Sequence, residues 1–273
     1  MTSASSEGRA GAAARSLLFV PGDRPERFPK AAASGAHEVI LDLEDAVAPS
    51  AKAAARAAVA AWLARGRRAL VRINAADTAW HEDDLSMVRA SPGAGIMLPK
   101  ADPDALAATI RSVPGRRVVA LLETVDAYME LERLAATPGL ARIAFGSIDF
   151  AVDSGISDED GAMAPVRTRI VLASRHAGLE APVDGVSPDF SDEGRMRDDA
   201  LLSKKLGFGG KLCIHPRQVA AVNAVFLPSL AEVERAGRIL AAFEASGGAA
   251  TAVDGRMIDK PVVDWARRVL AGS

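Results

Sequence analysis

The sequence predicts a (β/α)8 TIM barrel with a C-terminal helical appendage, on three observations. Short β-rich apolar runs alternate eight times with Ala-rich stretches of helical period. A polar or charged residue follows nearly every apolar run, as at the catalytic end of a barrel. The chain has 273 residues, close to the ~250 that one such barrel takes. An open doubly wound sheet is the competing arrangement, but it more often uses roughly five to seven strands.

The eight runs are SLLFV (16–20), EVILDL (38–43), ALVRI (69–73), GIMLP (95–99), VVALLE (118–123), RIAFG (142–146), PVDGV (182–186) and GKLCI (210–214). The seventh is the weakest, being short and interrupted by Asp184 and Gly185. Helices are expected near 25–34, 51–65, 81–90, 103–112, 126–135, 165–177 and 194–206, several opened by Pro or Asp as helix starts prefer. Two more follow near 215–226 and 229–245. From Gly247 a Gly/Ala linker and a short polar stretch lead to a last amphipathic helix from about Pro261. The expected organisation is therefore a disordered tail over 1–14, a catalytic barrel over 15–246 and an appendage over 247–273.

Composition excludes several classes of function. Lys and Arg number 33 against 35 Asp and Glu, a net charge of −2, so no global basic field exists to hold nucleic acid. One tyrosine and three tryptophans offer few stacking platforms for single strands. The single cysteine, Cys213, rules out an internal disulfide and suits a reducing cytoplasm. No apolar run approaches the ~20 residues of a membrane span, and the first residues lack the apolar core of a secretory signal. A small-molecule partner and a cytoplasmic location are expected.

Chemistry in a barrel gathers where strands end. Here those positions hold Asp42, Glu44 and Asp45, then Arg72 and Asn74, Lys100, Glu123, Asp149, Asp184 and His215. Any one of these acids could be a helix cap or an ion-pair partner. Several carboxylates facing few cations in one cavity instead require strongly shifted pKa values or a metal. Oxygen donors without nearby cysteine favour Mg²⁺, or Mn²⁺, over zinc. Glu123 and Asp149 are the expected ligand pair, and Arg72 a fixed cation for an oxygen on which negative charge develops.

The segments RSLLFVPGDRPERFPKA, ILDLEDAV, VRINAADTAWHEDDL, IMLPKA, LLETVDA, FGSIDFAVDSG, LGFGGKLCIHPRQV and GRMIDKPV, in that order, resemble the citrate lyase beta-subunit-like family. That family includes malyl-CoA and citramalyl-CoA lyases within a larger group of pyruvate- and phosphoenolpyruvate-handling barrels. The resemblance spans about Ser16 to Leu270. It implies that Glu123 and Asp149 hold Mg²⁺ and that Arg72 contacts the reacting oxygens. It implies a supporting role for Asp42 and Glu44, and coenzyme A contacts for Arg24 and Lys30. Pro99 and Lys100 of IMLPKA fall on the substrate side. Asp259 of GRMIDKPV would act as an acid/base group in a neighbouring subunit, which calls for a homo-oligomer, a trimer or hexamer; as a plain sequence feature it is also a good N-cap for the helix at Pro261. By itself the DRPERFPK stretch reads as a solvated helix start capped by Asp23, and His215 as a structural helix entry.

The expected activity is Mg²⁺-dependent cleavage of a 3-hydroxyacyl-CoA such as malyl-, citramalyl- or citryl-CoA. A 2-oxo-acid aldolase acting without CoA, an acyl-CoA thioesterase and a partner-dependent citrate lyase subunit remain alternatives. In FAVDSGIS, Ser154 follows Asp153 where the family often continues Asp-Leu-Gly, which bears on the pocket wall and on substrate identity.

Overall fold

The computed structural model of the chain describes residues 14–159 and 161–272; the expected tail lies outside them except for Ala14. Eight parallel strands close into a barrel in sequence order. They are β1 (Ser16–Pro21), β2 (Glu38–Asp42), β3 (Ala69–Arg72), β4 (Ala94–Leu98), β5 (Val118–Leu122), β6 (Leu140–Phe145), β7 (Val183–Asp184) and β8 (Gly210–Cys213). All eight expected runs are strands, and the weak seventh is only two residues long.

Alternation along the strands decides what faces inward. Leu17, Ile40, Leu70, Met97, Val119, Leu121, Ala144, Val183 and Leu212 fill the interior as one buried cluster. Two residues beyond an inward apolar residue, the same face presents Asp42 after Ile40, Arg72 after Leu70 and Glu123 after Leu121. Two residues before one, it presents Glu38, Arg117 and Arg142, which close the opposite end. Arg142 is fully buried, donating to the carbonyls of Ala181 (2.5 Å) and Ala14 (2.7 Å), and burial pushes its pKa down to about 10.

The helices after β1 to β5 are α1 (Phe28–Ala32), α2 (Lys52–Leu63), α3 (His81–Ala90), α4 (Pro103–Ser112), α5 (Val125–Met129) and α6 (Leu131–Ala135). Then come α7 (Ser147–Ser154), α8 (Ala164–His176), α9 (Glu193–Leu206) and α10 (Pro216–Phe226). Three features differ from expectation. The first helix is a 3₁₀ turn at Pro25–Arg27 followed by five α residues; Asp23 does not cap it, because Arg24 occupies the N-cap and makes no side-chain bond there. The stretch 126–135 is two short helices meeting at Glu130. The helix α7 was not expected at all: Gly146 and the short polar turn mask eight residues of helix that end at left-handed Gly155.

The chain divides into two compact units between Asn223 and Ala224, about twenty residues before the expected boundary at 246/247. The second unit holds its own core. Ala236 and Ile239 of α11 (Leu230–Ala245) pack with Ile258, Val263 and Ala266, so α11 belongs with the appendage. The appendage is also not purely helical. An antiparallel hairpin, β9 (Thr251–Val253) and β10 (Arg256–Ile258), turns at Asp254 and Gly255 before α12 (Lys260–Ala271). No helix among the described residues is long and apolar enough to cross a membrane.

Candidate functional site

At the C-terminal mouth of the barrel lies a cavity of about 380 Å³ whose wall includes Phe19, Asp42, Arg72, Glu123, Ser147 and Asp149. A cavity of about 600 Å³ at the opposite end is larger, but its acid, Glu38, is already joined to Arg117. Convergent carboxylates outnumbering the cations, not volume, distinguish the mouth.

Arg72 is the hub. Its Nε donates to Asp42 Oδ1 (2.8 Å) and its Nη2 to Asp42 Oδ2 (2.5 Å), a bidentate pair. Its Nη1 lies 3.0 Å from Glu44 Oε2, and its guanidinium covers the ring of Phe19 at 4.9 Å. Burial alone would lower its pKa, but Asp42, Glu44 and Glu123 hold it above the ordinary arginine value. Of its five donors two are hydrogen-bonded to Asp42, so N–H groups on Nη1 and Nη2 remain for a ligand. Asp42 is held in turn by the backbone N–H groups of Glu44 (2.9 Å) and Ala46 (3.4 Å).

Glu123 is buried and accepts the backbone N–H of Lys100 at 2.6 Å. Lys100 reaches that position with φ +46°, a left-handed conformation that costs a lysine on the order of 1 kcal/mol. Burial, then the neighbouring Glu44 and Asp149 carboxylates, push the Glu123 pKa up to about 8, with Arg72 and the Lys100 N–H opposing. Gly146 makes room for it: a Cβ there would lie 2.6 Å from Glu123 Cβ and 2.8 Å from Oε2. Glu44 is likewise raised by burial, opposed by Arg72, and joins Arg72 to Lys100 Nζ at 3.4 Å.

Asp149 stands in the first turn of α7, exposed, on the same cavity wall as Glu123. The first turn of α7, Ser147 to Asp149, lines the cavity, and a helix N-terminus suits a carboxylate. Among the described residues no three His, Cys, Asp or Glu side chains form a ready-made metal cage. Two carboxylates of which one is raised by burial and its neighbours fit Mg²⁺, which takes one or two carboxylates and leaves its other positions to water and substrate.

The expected site residues thus separate. Asp42, Glu44, Arg72, Glu123 and Asp149 come together, with Lys100 beside Glu44 and Pro99 buried behind it. Arg24 and Lys30 are exposed after β1; burial, then the cations of Arg217 and Lys30, lower the pKa of His215. His215 stacks on Phe190 at 4.6 Å and its Nδ1 accepts from Arg217 N at 3.2 Å, in keeping with a structural helix entry. Cys213 is buried, its pKa pushed up to about 12 by burial. Asp259 accepts from Val262 N at 3.5 Å as N-cap of α12.

Asp184 is a correction. It neighbours the inward Val183 and so points away from the cavity, among Arg167 Nε (2.8 Å), Lys211 Nζ (3.8 Å) and Ser203 Oγ. Burial alone would raise its pKa; Lys211, Arg167 and Ser203 hold it low. Missed by sequence reasoning were Lys52, whose role needs contacts no spacing displays, and Ser147, a cavity-lining residue whose hydroxyl is buried. The period of two would have removed Asp184.

Comparison with known proteins adds the following. Residues 15–216 match the family described as HpcH/HpaI aldolase/citrate lyase, and residues 163–273 match one described as C-C bond lyase of the TIM-barrel fold. A (3S)-malyl-CoA thioesterase of Cereibacter sphaeroides is 36% identical over 270 residues, 94% of this chain and 93% of that protein. An L-malyl-CoA/beta-methylmalyl-CoA lyase of the same species is 37% identical, with 90% of each chain covered. The crystal structure of CitE from Mycobacterium tuberculosis with magnesium, acetoacetate and coenzyme A superposes with a TM-score of 0.82 at 36% identity, covering 96% of this chain and 99% of that one.

Proposed function

The chain belongs to the HpcH/HpaI aldolase/citrate lyase family, and from that premise we propose that it is a Mg²⁺-dependent carbon–carbon lyase acting on a 3-hydroxyacyl-CoA such as malyl-, citramalyl- or citryl-CoA. The observation that carries this reading is the convergence of Glu123, Asp149 and Arg72 in one cavity at the barrel mouth. Glu123 and Asp149 would hold the ion. When bound, Mg²⁺ supplies Lewis-acid polarisation of the substrate's hydroxyl and carboxylate oxygens.

The remaining chemistry falls to the chain. Arg72, fixed by Asp42 and Glu44, would point its spare N–H groups at the hydroxyl oxygen that becomes the carbonyl of the oxo acid, where pre-oriented charge is most effective. The first turn of α7 receives the carboxylate of the 2-oxo acid half. The hydroxyl proton passes to solvent water as base, the oxygen's pair forms the new carbonyl, and the pair of the breaking carbon–carbon bond passes to the thioester enolate, whose α-carbon then takes up a proton. Asp259 from a neighbouring subunit is the proposed donor, so catalysis would require a homo-oligomer. Arg24 and Lys30, both exposed after β1, would meet the phosphates of coenzyme A.

The test is incubation with malyl-, citramalyl- and citryl-CoA, with and without Mg²⁺, assaying acetyl-CoA, free CoA and oxo acid separately. Acetyl-CoA with equimolar oxo acid, lost on chelation and in Glu123→Ala, is the expected result. Free CoA without oxo acid would identify a thioesterase instead, a reading favoured by the similarity to a malyl-CoA thioesterase. Cleavage of a free 2-oxo-acid aldol with no thioester cleaved would identify a CoA-independent aldolase.

A further inference from the structure

Lys52 opens α2, is only 6% exposed, and spends its three N–H donors on three uncharged oxygens. These are the carbonyls of Leu43 (2.7 Å) and Glu44 (2.8 Å) and Oδ1 of Asn74 (2.6 Å). The ring of Trp80 lies 5.1 Å from the ammonium. Burial lowers its pKa, and Asp42, Glu44, Asp84 and Asp45 oppose that fall.

The acceptors are the point. Leu43 and Glu44 follow β2, and Asn74 follows β3 by two residues. The ladder between the strands ends at the bond from Leu43 N to Arg72 O, 2.9 Å; beyond it Lys52 Nζ bridges the two segments. Asn74 is itself immobilised, its N and Nδ2 donating to Asp84 Oδ2 at 2.9 and 2.6 Å. Asp84 of α3 accepts Arg56 Nε at 2.7 Å, and Arg56 lies one turn along α2 from Lys52. A closed ring of hydrogen bonds thus ties α2 to both strand ends. A compact ammonium with three tetrahedral donors suits three oxygens at these distances; a planar guanidinium would not.

We propose that Lys52 is a positioning residue for the lyase reaction, setting where the Glu44 carboxylate meets Arg72 by clamping the Leu43–Glu44 backbone to Asn74. The proposal rests on the function inferred above. It goes beyond it by assigning the geometry of the arginine to a residue that does not touch it.

Two readouts test it. In steady-state kinetics, Lys52→Met lowers kcat at least about tenfold while changing KM less than about threefold, and in a Glu44→Gln background it costs no more than about threefold further, the non-additivity of groups acting as one unit. Leu106→Ala, a fully buried change on α4, lowers Tm without that loss of kcat. In the Lys52→Met crystal structure, the Arg72 Nη1 to Glu44 Oε2 contact opens beyond its present 3.0 Å. Should Lys52→Met fail to fold, Asn74→Ser, which removes the Oδ1 acceptor of Lys52 together with the Nδ2 donor to Asp84, carries both measurements. An additive loss, an equal kcat loss in Leu106→Ala, or an unmoved contact overturns the role. Wild-type protein inert towards every thioester overturns the proposed lyase reaction instead, while the crystallographic comparison still decides the role of Lys52.

Discussion

The Arg72 guanidinium is gripped along one edge by the Asp42 carboxylate, Nε to Oδ1 at 2.8 Å and Nη2 to Oδ2 at 2.5 Å, across directly paired positions of β2 and β3. A lysine cannot reproduce that fork. Arg72→Lys should therefore keep the charge but lose about 10²–10³-fold in kcat, the usual effect of removing one pre-oriented donor. Asp42→Asn, which leaves a weaker single-edge contact, should fall between Arg72→Lys and wild type. Equal activity of Arg72→Lys and wild type in steady-state assays would remove Arg72 from the chemistry.

In the metal-free protein the Glu123 carboxyl keeps its proton to about pH 8, against 4.5 for an unperturbed glutamate. Between those values the unfolded chain binds fewer protons than the folded one, so stability falls as pH rises through that window. The loss is on the order of several kcal/mol. Melting in EDTA from pH 5 to 8.5 should show a declining Tm. Glu123→Gln should flatten most of the slope, leaving the part due to Glu44. Mg²⁺ must displace the same proton, so its affinity should climb with pH over this range, as titration calorimetry in two buffers would reveal.

Gly146→Ala places a Cβ 2.6 Å from Glu123 Cβ. The backbone there has φ −84°, which alanine tolerates, so the expected damage is local. Mg²⁺ and Mn²⁺ binding should weaken at least about tenfold, as Glu123 is pushed aside, with Tm little changed. Binding isotherms matching wild type would show that Glu123 has other room to move.

Asp184 stabilises but does not catalyse. Asp184→Ala leaves buried Lys211 without its acid and Arg167 with Asp158 alone, which should cost about 3–5 kcal/mol in urea denaturation. Turnover per folded molecule should stay within about twofold. A large kcat loss at full folding would mean that Asp184 communicates with the cavity.

Capping and catalysis by Asp259 can be separated, because serine is as good an N-cap as aspartate but no acid at neutral pH. Asp259→Ser should keep Tm while losing most turnover; Asp259→Ala should lose the same turnover and about 1 kcal/mol of stability besides. Mixing Asp259→Ser with the impaired Arg72→Lys protein should raise activity above that of either alone if the aspartate crosses between subunits. Full activity of Asp259→Ser would leave the residue as a cap alone.

Much of this was legible without coordinates. Apolar runs of strand length separated by helical periods prescribe the barrel, because both faces of such strands must be covered and eight units close. The polar residue after each run marks the mouth, and Glu123, Asp149 and Arg72 follow. Legibility failed where identity depends on direction or on unpatterned contact. Asp184 ends a strand as Asp42 does, yet one residue of alternation sends it to the opposite face. The helix α7 hides behind a glycine needed for close approach to Glu123, and the β9–β10 hairpin is too short and polar to announce itself.

What the sequence by itself determined was the strand count, the order of units and the types of side chain available at the mouth, since these depend on local periodicity and on hydrophobic burial. What only the tertiary structure decided was which charges meet. The bidentate grip of Asp42 on Arg72, the pKa of Glu123 and the clamp of Lys52 on two strand ends each join residues far apart in the chain, at distances of a few ångströms where desolvation and Coulomb energy change steeply.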